Sequence, residues 1–414
     1  MFSQLLACVL FSFALAAAAS PAVVVRENHV KLPFTRRANF TGRDLVKSDR
    51  ARAQSLKSRS TQKFDASRAK SAASTFGIGV TNGVVDYTAE VLVGTPPTTF
   101  NLLIDTGSSN TWAGASPENP FTITRSSTDT GQELLVEYGS GFVFGELFTD
   151  TVSFGGSTIT GQGIGAALLS EGFDTVDGII GIGPTDLTEG TTSGGGTVPT
   201  VTDSLFSQGL IDTKIVGISF EPTTTVSVTN GELTFGGLDA SKFTGTLTTV
   251  PITQTSPASE FVGIDQTVAF GDQTLLTSSG IVDTGTTLLL LATDAFDAYQ
   301  TATGGTLDEN TGLLSITEEQ FANLDSLFFT IGKTTFEFTP DAQLFPRALN
   351  ADIGGDPDGF FLIVSDLGTL SGEGLDFING MVFLERFFAA FDSTNNEVSI
   401  GTTQFTDAKI NQNL

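Results

Sequence analysis

The triplet Asp-Thr-Gly occurs twice in this chain, at residues 105–107 and 283–285. Each copy follows a short apolar run, Leu102-Leu103-Ile104 in the first and Ile281-Val282 in the second, and each leads into a hydroxyl pair, Ser108-Ser109 and Thr286-Thr287. One such triplet is ordinary turn chemistry, because Asp, Thr and Gly all favour turns. Two in matching frames call for a joint role. Asp supplies a titrating carboxylate, Thr a hydroxyl able to reach an opposite loop, and Gly a tight turn whose backbone can approach a neighbour closely. If the two loops meet about a pseudo-two-fold axis, carboxylates about 3 Å apart cannot both ionise readily and share one proton. That places a general base and a general acid together. The ionised member can take a proton from a bound water while the protonated member polarises a carbonyl, so that a tetrahedral diol forms without a covalent intermediate. Asp105 and Asp283 are the candidate catalytic residues. The plain alternative, two unrelated turn aspartates, does not require the surrounding segments to repeat as well.

They do repeat. Val91-Leu92-Val93-Gly94 and a Pro-containing turn precede the first apolar run, and Val268-Ala269-Phe270-Gly271 and a turn precede the second. Downstream, residues 177–181 (DGIIG) and 377–380 (FING) each close a strand on a glycine. The chain reads as two related lobes, roughly 77–247 and 248–414, each bringing one triplet to a shared interface.

From Phe76 onward, Gly, Thr, Ser, Val, Ile and Phe dominate, in short alternating runs broken by turn residues, which predicts a mainly β, mostly antiparallel protein. Short helices are expected near residues 201–208, 293–301 and 317–323, where capping residues precede helical spacing of apolar positions.

The residue inventory removes several chemistries. The single cysteine is Cys8 and the single histidine is His29. Residues 1–19 read as a secretory signal, an apolar run ending in small residues and too short to span a membrane. Once it is removed, no disulfide, catalytic thiol or cysteine-ligated metal remains. Residues 20–76 read as a further removable segment, and with His29 gone neither a Ser-His-Asp triad nor a His-ligated zinc can form. No metal or other cofactor is expected.

Charge separates that segment from the body. Residues 21–76 hold 13 Lys or Arg against 4 Asp or Glu, and residues 77–414 hold 7 against 42. A basic arm alone could suggest nucleic acid. The nearest polyanion is the rest of the chain, so the expected partner is intramolecular, with no nucleic acid and no membrane.

Residues 105–112 (DTGSSNTW), 138–141 (YGSG), 177–183 (DGIIGIG), 230–236 (NGELTFG), 281–287 (IVDTGTT) and 372–386 (GEGLDFINGMVFLER) together resemble the pepsin family of aspartic peptidases, over essentially all of residues 77–414. The resemblance implies a bilobal acid-protease fold with the active site in the cleft between lobes, and a secreted endopeptidase made as a zymogen and active at acid pH. Protein or peptide substrates would lie across the cleft as an extended strand, with apolar residues favoured beside the scissile bond. It also implies site roles. Thr106, Gly107, Thr284 and Gly285 would shape the two loops, and Ser108 and Thr286 would bond the outer carboxylate oxygens. Tyr138, Gly139 and Ser140 would form the tip of a flap that closes over substrate, with Trp112 bonding the tyrosine. The basic segment, especially KLPFTRR at residues 31–37, resembles a prosegment that covers the cleft until acid weakens its ion pairs, with processing between about Lys70 and Val80.

Departures are visible too: no disulfide, Asn379 where the family usually has an apolar residue, and Met381 where it often has Asp. The sequon Asn39-Phe40-Thr41 lies in the arm. Among rival readings, an inactive relative would be expected to lose part of this constellation, and a two-carboxylate glycosidase to line its cleft with more than the single Trp112. A one-triplet protease would have to dimerise; two triplets in one chain imply a monomer.

Overall fold

The computed structural model describes residues 29–37, 42–58, 86–139, 141–225 and 227–411. The expected signal segment, the sequon, the expected processing region and Ser140 lie outside the described residues.

The first half is built from β1 (Val30–Arg37), β2 (Asp86–Val93), β3 (Thr98–Asp105), β4 (Thr111–Ala113), β5 (Thr128–Tyr138), β6 (Gly141–Phe154), β7 (Ser157–Glu171), β8 (Gly178–Gly181), β9 (Ile215–Phe220) and β10 (Val228–Phe235). Among the described residues these join three strands from beyond residue 243, Thr244–Pro251, Phe387–Asp392 and Glu397–Thr402, in one 13-stranded sheet. β1, from the basic arm, is an interior strand of that sheet, antiparallel to β10 on one side and to β2 on the other. Val30, Leu32 and Phe34 alternate inward, and Phe34 packs edge-on against Tyr87. A second sheet of seven strands carries the other triplet, with the hairpin Gly263–Phe270/Gln273–Val282 at its centre.

The sequence repeat is a repeat of strand topology. β3 ends at Asp105 and pairs in parallel with β8, which pairs antiparallel with β4. In the second half, Gln273–Val282 ends just before Asp283 and pairs in parallel with Phe377–Asn379, which pairs antiparallel with Leu289–Leu291. Each triplet thus leaves one strand, and the chain returns to that sheet on the far side of a strand that arrives much later in sequence. The segments flanking the triplets are near-continuous apolar runs because they are buried on both faces.

The expected helices form at Val201–Ser207, Thr293–Thr303 and Glu318–Ala322. Thr200 with Asp203, and Thr317 with Gln320, make reciprocal capping boxes that fix two of the starts. The basic arm adds a longer helix, α1 (Gly42–Ser58), which buries Leu45, Asp49, Arg52, Ala53 and Leu56, a stripe at helical spacing. Two of its five buried side chains are charged, so that face is shaped for a polar site.

The core runs through both halves and is rich in aromatic contacts, such as Phe329 edge-on to Phe383 at 5.3 Å. A smaller cluster under the end of β5 holds Trp112, Tyr138, Phe173 and Ile179. Phe173 meets Trp112 and Tyr138 edge-on at 5.0 and 5.2 Å.

Candidate active site

Each triplet sits where a buried strand ends, so its side chains are fixed by backbone that cannot move without breaking a sheet. The structure brings the two together. The N–H of Thr106 donates to Thr284 Oγ1 at 3.0 Å, and the N–H of Thr284 donates to Thr106 Oγ1 at 2.9 Å. Each hydroxyl passes its own proton onward, Thr106 to the Val282 carbonyl at 3.2 Å and Thr284 to the Ile104 carbonyl at 3.0 Å. All of these groups are buried, so the bonds form a closed, water-free lock.

Asp105 and Asp283 are each fully buried at the centre of that lock. Their inner oxygens are held by backbone: Gly107 N–H donates to Asp105 Oδ1 at 2.9 Å and Gly285 N–H to Asp283 Oδ1 at 3.1 Å. Their outer oxygens accept from hydroxyls, Asp105 Oδ2 from Ser108 and Asp283 Oδ2 from Thr286, the latter at 2.6 Å. Gly107 is required sterically, since a β-carbon there would lie 2.9 Å from Asp283 Oδ1, inside van der Waals contact, while one at Gly285 would meet the Arg52 guanidinium.

Asn379 supports the second loop through its backbone, its carbonyl accepting from Asp283 N–H at 3.1 Å. Its side chain is paired with Gln266, each amide giving one bond and taking one, at 3.1 and 2.9 Å. The polar residue at this place therefore brings its own partner, and the buried amide costs little.

Above the carboxylates, Trp112 Nε1 donates to the Tyr138 hydroxyl at 2.8 Å, and Gly139 abuts the backbone of Ala51 and Arg52. Every site residue read from the sequence, apart from Ser140, falls in this one region.

The space between the carboxylates is filled by Arg52 of α1, which is 8 % exposed. Its Nη2 donates to both inner oxygens, Asp105 Oδ1 and, at 2.9 Å, Asp283 Oδ1, while Nε donates to Asp283 Oδ2 at 2.6 Å. One turn earlier, Asp49 accepts from the backbone N–H of Leu288 at 2.8 Å and of Thr287 at 3.1 Å. Burial alone would push Asp283 up, but the guanidinium beside it, together with the Thr286 hydroxyl and the Gly285 N–H, outweighs burial and holds the carboxyl below its ordinary range. Burial would likewise lower Arg52, and the two carboxylates more than offset it, so the guanidinium keeps its proton. For Asp49 burial wins over the two N–H donors and Arg52, and its carboxyl is pushed up to about 7.

Further ion pairs seat the arm on the acidic body: Lys31 with Glu232 at 3.0 Å and with Asp239, Arg50 with Asp366 at 2.9 Å, and Lys57 with Glu373 at 3.1 Å. The charge asymmetry of the sequence pointed to such pairing. It did not single out Arg52, or give Asp49 any role. The signal that could have found them is the stripe Leu45, Asp49, Arg52, Ala53, Leu56, in which two charged residues share a face with apolar ones.

Residues 86–403 match the family model described as eukaryotic aspartyl protease, and the chain belongs to that family of aspartic-type endopeptidases. Polyporopepsin of Irpex lacteus is 55 % identical over 338 residues, 81 % of this chain and 99 % of the relative. Rhizopuspepsin-1 of Rhizopus niveus is 36 % identical over 329 residues, 76 % of this chain and 78 % of the relative. The crystal structure of the aspartic proteinase from Irpex lacteus superposes with a TM-score of 0.79 at 48 % identity, covering 92 % of this chain and all of that one. The fold is the mainly β, bilobal one of this family, and peptides are the substrates.

Proposed function

We propose that Asp105 and Asp283 activate the water that cleaves the peptide bond, and that the structure is the precursor, shut by its own arm. The observation that carries this reading is the single nitrogen, Arg52 Nη2, touching Oδ1 of both carboxylates. It stands in for the water of the open enzyme, which would sit between the same two oxygens. With the arm gone the paired carboxylates keep one proton between them, behaviour for which this family is the standard example. The ionised partner takes a proton from the water as its oxygen attacks the substrate carbonyl carbon. The protonated partner donates to the carbonyl oxygen, giving a neutral diol. Return of a proton to the amide nitrogen lets the C–N bond break. Ser108 and Thr286 hold the outer oxygens so that the inner ones face the water. Tyr138, held by Trp112, with Gly139 and Ser140, would cover the bound peptide and keep bulk solvent out.

In this reading residues 1–19 direct secretion, residues 20–76 are the inhibitory prosegment, and lobes 77–247 and 248–414 form a monomeric enzyme favouring apolar residues beside the scissile bond. The test is digestion of a denatured protein at acid pH by the activated protein and by Asp105→Asn and Asp283→Asn variants. Each variant should lose turnover by several orders of magnitude while folding normally; full activity in either sinks the reading.

A further inference from the structure

A cavity of about 850 Å³ opens between the halves alongside the end of β5. One wall is Val136 and Glu137, next to Tyr138, and another is the segment carrying Pro184, Asp186 and Leu187. That second wall is tied to the first triplet loop, since the Pro184 carbonyl accepts from Ser109 Oγ at 2.6 Å and Gly183 N–H donates to the Ser108 carbonyl at 2.9 Å. The opposite wall, Ile252, Gln254 and Glu260, comes from the other half. There Thr253 Oγ1 bonds Ser279, on the strand that runs into Asp283. The cavity is therefore a continuation of the cleft to one side of the carboxylates. None of the lining residues belongs to β1 or α1, so the described part of the arm leaves it open.

Its chemistry is one-sided. Asp186, Glu189 and Glu260 line it together with Glu137, and among the described residues no Lys or Arg does. Lys214 is paired with Asp203 at 2.8 Å, and Asp203 in turn accepts from Thr185. Leu187, Ile252 and Val136 give the cavity apolar surface between the carboxylates. A second observation is independent of the charges. Thr192, only 2 % exposed, also lines the cavity, and its Oγ1 has no hydrogen-bond partner. A buried hydroxyl left without a partner is destabilising unless a ligand satisfies it.

We propose that this cavity is a subsite for a Lys or Arg side chain of the substrate, lying beyond the residues that flank the scissile bond, with Glu189 and Glu260 as its specificity-determining residues. A long basic side chain suits both features, laying its methylenes on the apolar surface and its charge among the carboxylates. The inference rests on the reading of Asp105 and Asp283 as the cleavage centre. Because burial pushes Glu260 up, with its Ser256 contact only partly offsetting it, the attraction should fade towards the acid end of the working range.

The test uses the acid-activated protein and an all-neutral octapeptide in which Lys or Gln is placed in turn at each position on either side of the scissile bond. At one position beyond the flanking residues, kcat/KM for Lys should exceed that for Gln about fivefold at pH 5.5, the size expected of a partly exposed charge pair. At pH 3 the ratio should approach one. In the Glu189→Gln/Glu260→Gln double variant the ratio should fall to near one at both pH values, and Glu189→Lys should turn the preference towards Glu at the same position. Cleavage of the neutral parent with no position favouring Lys, or a Lys preference unmoved by these substitutions, overturns the proposal alone. A wild-type protein that leaves the neutral parent intact overturns the dyad reading and this one with it.

Discussion

Thr106 and Thr284 each donate a backbone N–H to the other's hydroxyl, at 3.0 and 2.9 Å, so two loops far apart in sequence are fastened by identical bonds running in opposite directions. The relationship is symmetric, and it carries the alignment of both carboxylates. Replacing Thr284 by Val keeps the shape, but leaves the Thr106 N–H and the Ile104 carbonyl unsatisfied in a buried site. We expect a loss of about 2–3 kcal/mol in stability, read as a lower midpoint in urea, and a fall in kcat larger than any change in KM. A variant as stable and as fast as wild type would show that the lock does not position the dyad.

Arg52 holds Asp283 below its ordinary range, so arm docking gains from the ionised carboxylate. That gain is present above the ordinary carboxylate value and lost as pH falls through the depressed one. The precursor should therefore open on acidification. Arg52→Met, of similar length but uncharged, should bind the arm more weakly and should open at a pH closer to neutral, measured as the pH at which a fluorogenic peptide is first cleaved. An unchanged opening pH would remove Arg52 from the inhibition.

Asp49 acts with the opposite sign. Its docked carboxyl is pushed up to about 7, above its ordinary value of 3.8, so its contribution to docking is complete below the ordinary value and lost as pH rises through 7. Acid tightens this contact while it loosens the one at Arg52. Asp49→Asn, permanently neutral, should flatten the fall in precursor Tm between pH 5.5 and 8 and make acid opening steeper. Parallel Tm curves for the two proteins over that range would count against it.

The Gln266–Asn379 pair predicts an asymmetry. Gln266→Met alone strands a buried amide and should cost about 1–3 kcal/mol, whereas Gln266→Met/Asn379→Leu, which removes both, should recover most of that loss. Thermal unfolding of the three proteins checks it, and a double variant no better than the single one would mean the pair is not an isolated unit.

Asp105 and Asp283 were legible because each rests on residue type at short spacing within a repeated frame, whereas the Ser108 and Thr286 hydroxyls and the Trp112–Tyr138 contact were legible only through the family resemblance. The helices at Val201–Ser207 and Glu318–Ala322 were legible for a similar reason, since Thr200 and Thr317 carry their capping partners three residues on. The arm's partner was legible only as charge. Which of many similar cations reaches the carboxylates depends on the phase of α1 against the cleft, and the only local trace of it is that Arg52 shares a helix face with Leu45, Ala53 and Leu56. Asp49 was hidden more deeply, being an acid within a basic segment. The acidic cavity was not legible either, because Glu137, Asp186, Glu189 and Glu260 come from separate segments that only the packed halves bring together.

β1 adds a different kind of restraint from the ion pairs. It is a plank in the middle of the largest sheet, laddered to β10 and β2, and neither ladder responds to protonation. On the proposed reading, acid weakens the ion pairs of α1 and those of Lys31 but leaves both backbone ladders of the strand in place. On the proposed maturation, loss of the strand would bare two inward-facing edges at once, so that the sheet's midline would have to be rebuilt as well as the chain cut.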